Sequence, residues 1–140
     1  MSQVFDSGGW LDTGTGGPWR RYGRMPEIVT PVKTWVLVDE HPDSLNDAAC
    51  AVAMFSPGTP DGTVRIVDFP ASYHNGACGL AFADGHSEIH QWKGATMKAP
   101  VRFRDGVLTL NVPAGDHFSA LDVLWWAERT TTNVKNGTWE

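Results

Sequence analysis

The sequence predicts an α+β domain: a small antiparallel β-sheet with long loops and one short C-terminal helix. Short apolar segments of strand length recur along the chain and are separated by turn residues. The 140 residues include 15 Gly and 9 Pro, which leave little room for long helices. Only one segment, near the C terminus, repeats its apolar residues with a helical period. A chain of this length with 41% hydrophobic residues can build one core, so we expect a single domain.

Residues 1–30 are predicted to form an N-terminal arm, because glycine and proline recur throughout them. An ordered loop, anchored by Trp10 and Trp19, and a flexible arm both fit this composition. The globular domain is predicted to span residues 31–130. Residues 131–140 are expected to form a frayed tail.

Four further segments have the length and composition of strands. Residues 34–39 form the clearest one, and their near-continuous apolar run suggests a central position, buried on both faces. Residues 48–55 could be strand or helix, and their short length favours a strand. Residues 64–69 form a possible short strand closed by Pro70. Asp105-Gly106 is a predicted turn, and residues 107–112 are a possible edge strand.

Residues 77–92 are predicted to form a β-hairpin. Residues 77–83 are small and apolar, as a buried strand allows. Asp84-Gly85 is a strong signal for a type I′ turn, which needs positive φ at both central residues. In the return strand side chains alternate between faces, so that one face carries His86, Glu88 and His90.

A short helix is predicted from Ala120 to about Thr130. Ser119 precedes it as a candidate N-cap residue. The residues that follow a helical spacing, and that would form its inner stripe, are Leu121, Leu124, Trp125 and Glu128.

Nine residues separate His74 from Asp84-Gly85, and this spacing accompanies two other blocks. One is the Tyr73-His74-Asn75-Gly76 lead-in, and the other is the Asp-Glu-His-Pro-Asp-Ser run at residues 39–44. Together they resemble the H-X9-DG motif of bacterial prepilin-like proteins, the pseudopilin relatives of type II secretion. The likeness continues from Pro113 to Arg129 and covers most of residues 30–130. The motif residues are His74, Asp84 and Gly85.

The resemblance implies a pilin-like globular domain. In such proteins a basic leader, a peptidase site and an apolar helix of about 20 residues come first, and the sheet packs on that helix. The sequence from Met1 onward shows none of these features, and no window approaches 18 consecutive apolar residues. We therefore expect a pilin-like domain without its N-terminal helix, soluble as given. It would lie on the periplasmic or extracellular face if its gene carries the leader and helix.

The function implied by the resemblance is a non-catalytic structural and interaction domain that packs with sibling subunits or cargo. Without the helix, an apolar sheet face would be exposed. Either the arm and Trp125-Trp126 cover this face, or two copies cover each other as a homodimer. The net charge of −5 argues against nucleic acid as a partner.

The loop that follows the first predicted strand is rich in oxygen ligands: Asp39, Glu40, Asp43, Asn46 and Asp47. Five such side chains within nine residues suit Ca²⁺, although the spacing is not that of an EF-hand. Pseudopilins of the major type often hold calcium in a loop beside the sheet, so the resemblance supports the same expectation. The alternative is a solvated loop in which Asp43 or Asn46 caps local turns.

The histidine and carboxylate residues of segment 74–90 allow a different function. His74, Asp84, His86 and Glu88 could serve a small metal-dependent or acid/base hydrolase that acts on a polymer. The structural alternative is that His74 hydrogen-bonds the turn at Asp84 and holds the hairpin closed. No Gly-x-Ser-x-Gly elbow is present to suggest a serine hydrolase.

Tryptophan and cysteine raise two last possibilities. Seven tryptophans are an unusual number, and four of them could form a carbohydrate-binding platform: Trp10, Trp19, Trp92 and Trp139. Most tryptophans, however, serve as core residues. Cys50 and Cys78 are disulfide candidates, and the alternative is two free buried thiols.

Overall fold

The computed structural model describes residues 1–103 and 108–139. Within them, two small antiparallel sheets and one α-helix confirm the predicted α+β class. The elements are β1 (Trp35–Val38), β2 (Arg65–Ile66), β3 (Ala77–Phe82), β4 (Ser87–Gln91), β5 (Leu110–Asn111) and α1 (His117–Glu128). Single 3₁₀ turns lie at Gln3–Phe5, Leu11–Thr13, Met25–Glu27, Asp61–Thr63 and Thr96–Lys98. The predicted turn at Asp105-Gly106 lies outside the described residues.

The larger sheet has the strand order β1-β3-β4, so β3 is its central strand. The prediction that residues 34–39 occupy a central position buried on both faces is therefore wrong. Trp35 is fully buried, but Leu37 is 54% exposed. The apolar run of β1 is continuous because one face packs in the core while the other is an uncovered apolar surface. The small residues of β3 instead allow it to lie between two neighbours.

The hairpin of β3 and β4 is confirmed, but its turn differs from the predicted type I′ turn. Gly85 has φ +96°, whereas Asp84 is not among the residues with positive φ. The Gly85 N–H donates to the Phe82 carbonyl, and the Phe82 N–H donates to the His86 carbonyl. This is a three-residue connection in which glycine alone takes the left-handed conformation.

The smaller sheet pairs β2 with β5, which lie within the two predicted segments 64–69 and 107–112. The predicted strand at 48–55 is wrong, although Cys50–Phe55 are all buried. Their backbone groups bond to scattered partners instead of a neighbouring strand. The Ala51 N–H donates to the Asp68 carboxylate, and the Val52 carbonyl accepts from the Gln3 side chain. This segment therefore crosses the core as extended chain that does not pair with a neighbouring strand.

Residues 1–30 are an ordered loop and not a flexible arm. Five of their apolar side chains lie in the core: Val4, Leu11, Trp19, Tyr22 and Ile28. Packing also continues past residue 130, because Thr131 and Thr132 are buried and Asn133 forms a bridge with Trp19. The two ends of the described chain thus pack against each other, and residues 131–133 are not frayed.

Helix α1 begins three residues earlier than predicted, with Asp116 and not Ser119 as its N-cap. Ser119 is buried inside the first turn and donates its N–H to Asp116. The predicted inner stripe is also wrong, since Leu121 is exposed. The buried residues of the helix are Ser119, Ala120, Asp122, Val123, Trp126 and Ala127. Buried Asp122 accepts from the N–H groups of the loop at 93–94 and so fixes the rotation of the helix.

The core lies between the inner face of the larger sheet and α1, and three tryptophans fill it. Trp126 lies 5.6 Å from Trp35 and 6.1 Å from Trp92 between ring centroids. The Trp35 indole donates to Thr130, and the Trp92 indole donates to the Ala71 carbonyl. Since this packing covers only the inner face, the outer face of the sheet is left open.

We expect Asp116→Ala to destabilise the protein by about 1–2 kcal/mol at neutral pH, as loss of an N-cap does. Desolvation raises the pKa of Asp116, but hydrogen bonds from Thr96 and Ser119 outweigh it and hold the pKa at about 2. Because this pKa is lowered, the contribution is complete above the ordinary aspartate pKa and disappears as pH falls through about 2. Urea unfolding at several pH values measures it.

Asp116→Asn is the matched control, because asparagine is an equally good N-cap but carries no charge. It should lose less stability than Asp116→Ala and should not reproduce the wild-type pH dependence. Equal losses from both substitutions at all pH values would contradict a role for the charge.

Candidate functional site

The two ends of the H-X9-DG motif lie apart in the structure. His74 Nε2 is 3.5 Å from Asp39 Oδ2, whereas Asp84 Oδ1 is 2.5 Å from His86 Nδ1. The predicted hydrogen bond between His74 and the Asp84 turn is therefore wrong. His74 precedes β3 and Asp84 follows it, and a six-residue strand separates its two ends by roughly 20 Å.

At the first end, Asp39 joins three parts of the chain. Its carboxylate accepts from the Gly79 N–H at 3.1 Å and contacts His74, and its carbonyl accepts from the Ala71 N–H at 2.7 Å. Asp39 thus links the end of β1 to β3 and to the loop before β3. The histidine of the motif attaches that loop to the sheet.

At the second end, the turn holds His86 in place. Its ring stacks on Phe82 with centroids 4.3 Å apart. Desolvation raises the pKa of Asp84, but hydrogen bonds from the His86 side chain and backbone outweigh it, so the pKa lies below its usual value. Asp84 therefore accepts hydrogen bonds as a carboxylate and stabilises the turn.

The other two polar residues of β4 do not join these groups into one cluster. Glu88 is exposed, and His90 stacks on Trp125 with ring centroids 3.5 Å apart. Burial, with the nearby Arg129 charge, lowers the pKa of His90 to about 4. The residues predicted for a hydrolase, His74, Asp84, His86 and Glu88, are thus distributed along the hairpin.

The five predicted calcium ligands of the acidic loop are likewise separated in the structure. Asp39 faces His74, and Asp43 accepts from the Arg102 N–H at 2.7 Å. Asn46 and Asp47 line a polar cleft of about 140 Å³. Asp47 also accepts from the Ala49 N–H at 2.7 Å, which is a local turn bond. A local turn bond is thus seen at Asp47, a residue that the local-turn prediction did not name, and both local caps at Asp43 or Asn46 and calcium binding stay predictions.

Two residues of the 39–44 block have a structural role that the sequence did not reveal. His41 is 0% exposed; its Nδ1 accepts from the Asp43 N–H and its Nε2 lies 3.0 Å from the Ala99 carbonyl. Buried Ser44 accepts from the Phe69 N–H at 2.8 Å. The block therefore supplies hydrogen bonds to backbone groups of two other segments, at Phe69 and Ala99.

Glu40, the remaining acid of the block, contributes to a buried cluster with Cys50 and Asp68. One ligand atom from each lies within 4.8 Å of the other two. Burial, followed by the nearby Asp68 charge, raises the pKa of Glu40 to about 7. Burial also raises the pKa of Asp68 and of the Cys50 thiol. The three side chains come from distant parts of the chain, so no local motif indicates this cluster.

The outer face of the larger sheet carries an apolar depression of about 590 Å³, which we call the sheet-face groove. Gly79 and Ala81 of central β3 form its floor. Leu37, opposite Ala81 in β1, and Ile89, opposite Gly79 in β4, form its walls. Ile89 is 80% exposed. Apolar side chains this exposed, on either side of a floor of small residues, are typical of an interaction surface.

The tryptophans proposed as a sugar platform do not form one. Trp19 and Trp92 are buried, Trp139 is partly buried, and Trp10 is 40% exposed beneath the Arg65 guanidinium. The disulfide is also not formed: Cys50 and Cys78 are both free and buried. Two free buried thiols are what the alternative to a disulfide expects.

Comparisons of the chain with family models, with curated proteins and with solved structures find no match. Within residues 1–103 and 108–139, no helix has the length and apolar character needed to cross a membrane.

Proposed function

We propose that this chain is a non-catalytic interaction domain of a pilin-like protein and that it packs with a second copy through the sheet-face groove. The observation that carries the proposal is the exposure of Ile89 and Leu37 beside the small floor residues Gly79 and Ala81. Pilin-like siblings share a fold, so association of identical copies is the simplest form of sibling packing. In such proteins the domain lies on the periplasmic or extracellular side, and we include that location in the proposal.

The shape of the groove favours a second copy as the occupant. Ile89 protrudes from an edge strand, whereas the floor formed by Gly79 and Ala81 is low. Across a two-fold axis, Ile89 of each copy can enter the groove of the other, which makes the contact self-complementary. Two sheets packed in this way lie about 10 Å apart, the usual spacing for sheets that face each other.

The charged residues near the groove limit where a partner can sit. Glu88 is opposite Leu80, so its side chain belongs to the other face of the sheet. The Asp39 carboxylate accepts from the Gly79 N–H and is half-exposed, so a second copy must leave it in contact with water while the apolar centre is covered.

Burial of two Leu and two Ile side chains contributes at most about 6–12 kcal/mol, and association costs about 4–15 kcal/mol. These ranges largely cancel, so we expect weak association. A net gain of about 5 kcal/mol, which lies within the difference of the two ranges, corresponds to a dissociation constant of order 10⁻⁴ M.

The arrangement of the polar residues is consistent with a non-catalytic role. His74, Asp84 and His86 each have a partner that ties the hairpin together. Tying the two ends of the hairpin would hold the floor of the sheet-face groove rigid. A preformed surface loses less entropy on association, so the same contacts produce stronger binding.

Sedimentation of the wild-type chain and of Ile89→Lys tests the proposal. The wild type should show a concentration-dependent monomer–dimer equilibrium at about 100 μM, and Ile89→Lys should be monomeric there, since a buried unpaired lysine is unfavourable. Val32→Lys is the matched control, because Val32 is exposed and apolar but lies outside the groove. A wild type that stays monomeric, or equal loss in the control, would contradict the proposal.

A further inference from the structure

The side chains of Glu40, Cys50 and Asp68 converge on one small space below the protein surface. Their three ligand atoms lie within 4.8 Å of one another. Cys50 is 0% exposed and Asp68 is 3% exposed. Glu40 follows β1, Cys50 lies in the extended core segment, and Asp68 follows β2, so only the folded chain brings these atoms together.

Two atoms of the cluster lack the partner that a buried polar group normally has. Glu40 Oε1 is buried and has no hydrogen-bond partner. The Cys50 thiol is fully buried, and it takes part in none of the hydrogen bonds found among the described residues. Buried polar groups are usually satisfied, and unpartnered ones call for an explanation. A bound cation would supply the missing interaction to both atoms.

Asp68 adds an oriented ligand. The Ala51 N–H donates to its Oδ2 at 2.6 Å, which fixes the carboxylate and leaves its other oxygen for a ligand. Among the described residues, no lysine or arginine forms an ion pair with Glu40 or Asp68. The cluster therefore places two carboxyl groups and a thiol together with no paired lysine or arginine. Burial and the Asp68 charge raise the pKa of Glu40, and the Met1 ammonium offsets this rise only in part.

We propose that Glu40, Cys50 and Asp68 bind a zinc ion through one thiolate and two carboxylates. Zinc accepts both sulfur and oxygen ligands, whereas calcium and magnesium prefer oxygen alone. A zinc ion held by three side chains has a fourth position for solvent. Asp68 also lines a polar cleft together with Asp47 and Asn46, so this ligand lies next to solvent-accessible space.

Zinc at this place would tie together the segments that follow β1 and β2 and the extended core segment. It lies apart from the sheet-face groove, whose lining includes none of the three ligands. The site thus goes beyond the proposed interaction function, and either can fail without the other. Because the metal binds the folded state, it should raise the melting temperature by several degrees at saturating zinc.

Cobalt and zinc titrations of chelator-stripped protein test the site. Cobalt should bind at one ion per chain and produce the near-ultraviolet charge-transfer band of a cobalt–thiolate bond, which zinc then displaces. Cys50→Ser should lose the band and weaken zinc binding at least 100-fold, measured against a chromophoric chelator. Cys78→Ser is the matched control, since Cys78 is the second free buried thiol and lies in β3; it should bind as the wild type does.

Glu40→Gln is a second test that keeps the side-chain volume and does not depend on the folding of Cys50→Ser. It should weaken zinc binding at least tenfold while the cobalt–thiolate band is retained at saturation. Absence of stoichiometric binding, or a band lost equally in Cys78→Ser, would overturn the proposal. Stabilisation by calcium alone, with no cobalt–thiolate band, would also overturn it and would favour an oxygen-only site at the acidic loop.

Discussion

Gly94→Ala is expected to destabilise the protein by about 3 kcal/mol or more, at the upper end of the cost of overpacking. An alanine Cβ at this position would overlap the backbone N and Cα of Ser119 in α1. The Gly94 N–H also donates to buried Asp122 at 2.7 Å. The helix cannot move away from the new methyl group without breaking this bond and the packing of Trp126.

Urea unfolding, or the yield of soluble protein where the variant does not fold, measures this loss. Gly9→Ala is the matched control, because its nearest new contact would be Ser7 Oγ at 3.8 Å. The control should change stability by less than about 0.5 kcal/mol. A Gly94→Ala variant as stable as the control would show that the loop at 93–94 does not pack on the helix as described.

His41→Ala should cost about 2–4 kcal/mol, the second large effect. The substitution leaves a cavity where a fully buried ring was, and truncating a large buried side chain to alanine costs about 2–5 kcal/mol. It also removes the bond that the ring accepts from the Asp43 N–H and its contact with the Ala99 carbonyl, which keeps a bond of 3.4 Å from the Ser72 hydroxyl. Since domains are stable by only about 5–15 kcal/mol, the melting temperature should fall sharply.

His117→Ala is the control for the histidine substitution. The His117 side chain is 67% exposed, and its contact with Asp61 is 3.4 Å long. Exposed pairs of this kind contribute little, so its melting temperature should stay close to that of the wild type. If His41→Ala matched the control, the 39–44 block would not have the structural role that we assign to it.

The strands that the sequence predicts well are those whose pattern is local. The hairpin at 77–92 was predicted because small apolar residues, Asp-Gly and an alternating return strand are neighbours in the chain. The central position of residues 34–39 was not predictable from its apolar run. Such a run is equally compatible with burial on both faces and with one buried face beside an uncovered apolar surface, and exposed Leu37 shows that the second case holds.

Predictions that depended on distant partners were less successful. The segment 48–55 is apolar, but its backbone bonds go to Gln3, Asp68 and other separate positions, which no periodicity reveals. The helix start was misplaced because Asp116 and Ser119 are both good N-cap residues. Asp116 is the cap because Thr96, far away in sequence, also donates to its carboxylate.

The candidate sites show the same difference between features with a local sequence signal and features that depend on distant residues. The sheet-face groove agrees with the expectation of an exposed apolar face. Alternation along β4 places Ile89 outward, whereas in β1 a register shift between Trp35 and Leu37 places Leu37 on the outer face. The partner of His74 was mispredicted because Asp84 is close in the motif but lies at the other end of β3, whereas Asp39 is distant in sequence. The role of Asp68 beside Glu40 and Cys50 had no sequence signal at all.

The two ends of the motif thus form two separate contacts, each of which holds a different part of the sheet. The contact of His74 with Asp39 joins the start of β3 to the end of β1. The contact of Asp84 with His86 closes the turn between β3 and β4. Together they set the relative positions of all three strands, and so of the walls and floor of the sheet-face groove.

The central claim is that the sheet-face groove is the surface through which two copies associate. Amide chemical shifts of the isotopically labelled chain, followed from about 10 μM to about 1 mM, test it most directly, because this range brackets the expected dissociation constant. We predict concentration-dependent shifts at Leu37, Gly79, Ala81 and Ile89 that are abolished in Ile89→Lys. Shifts that do not change with concentration, or that change on another surface, would contradict the claim.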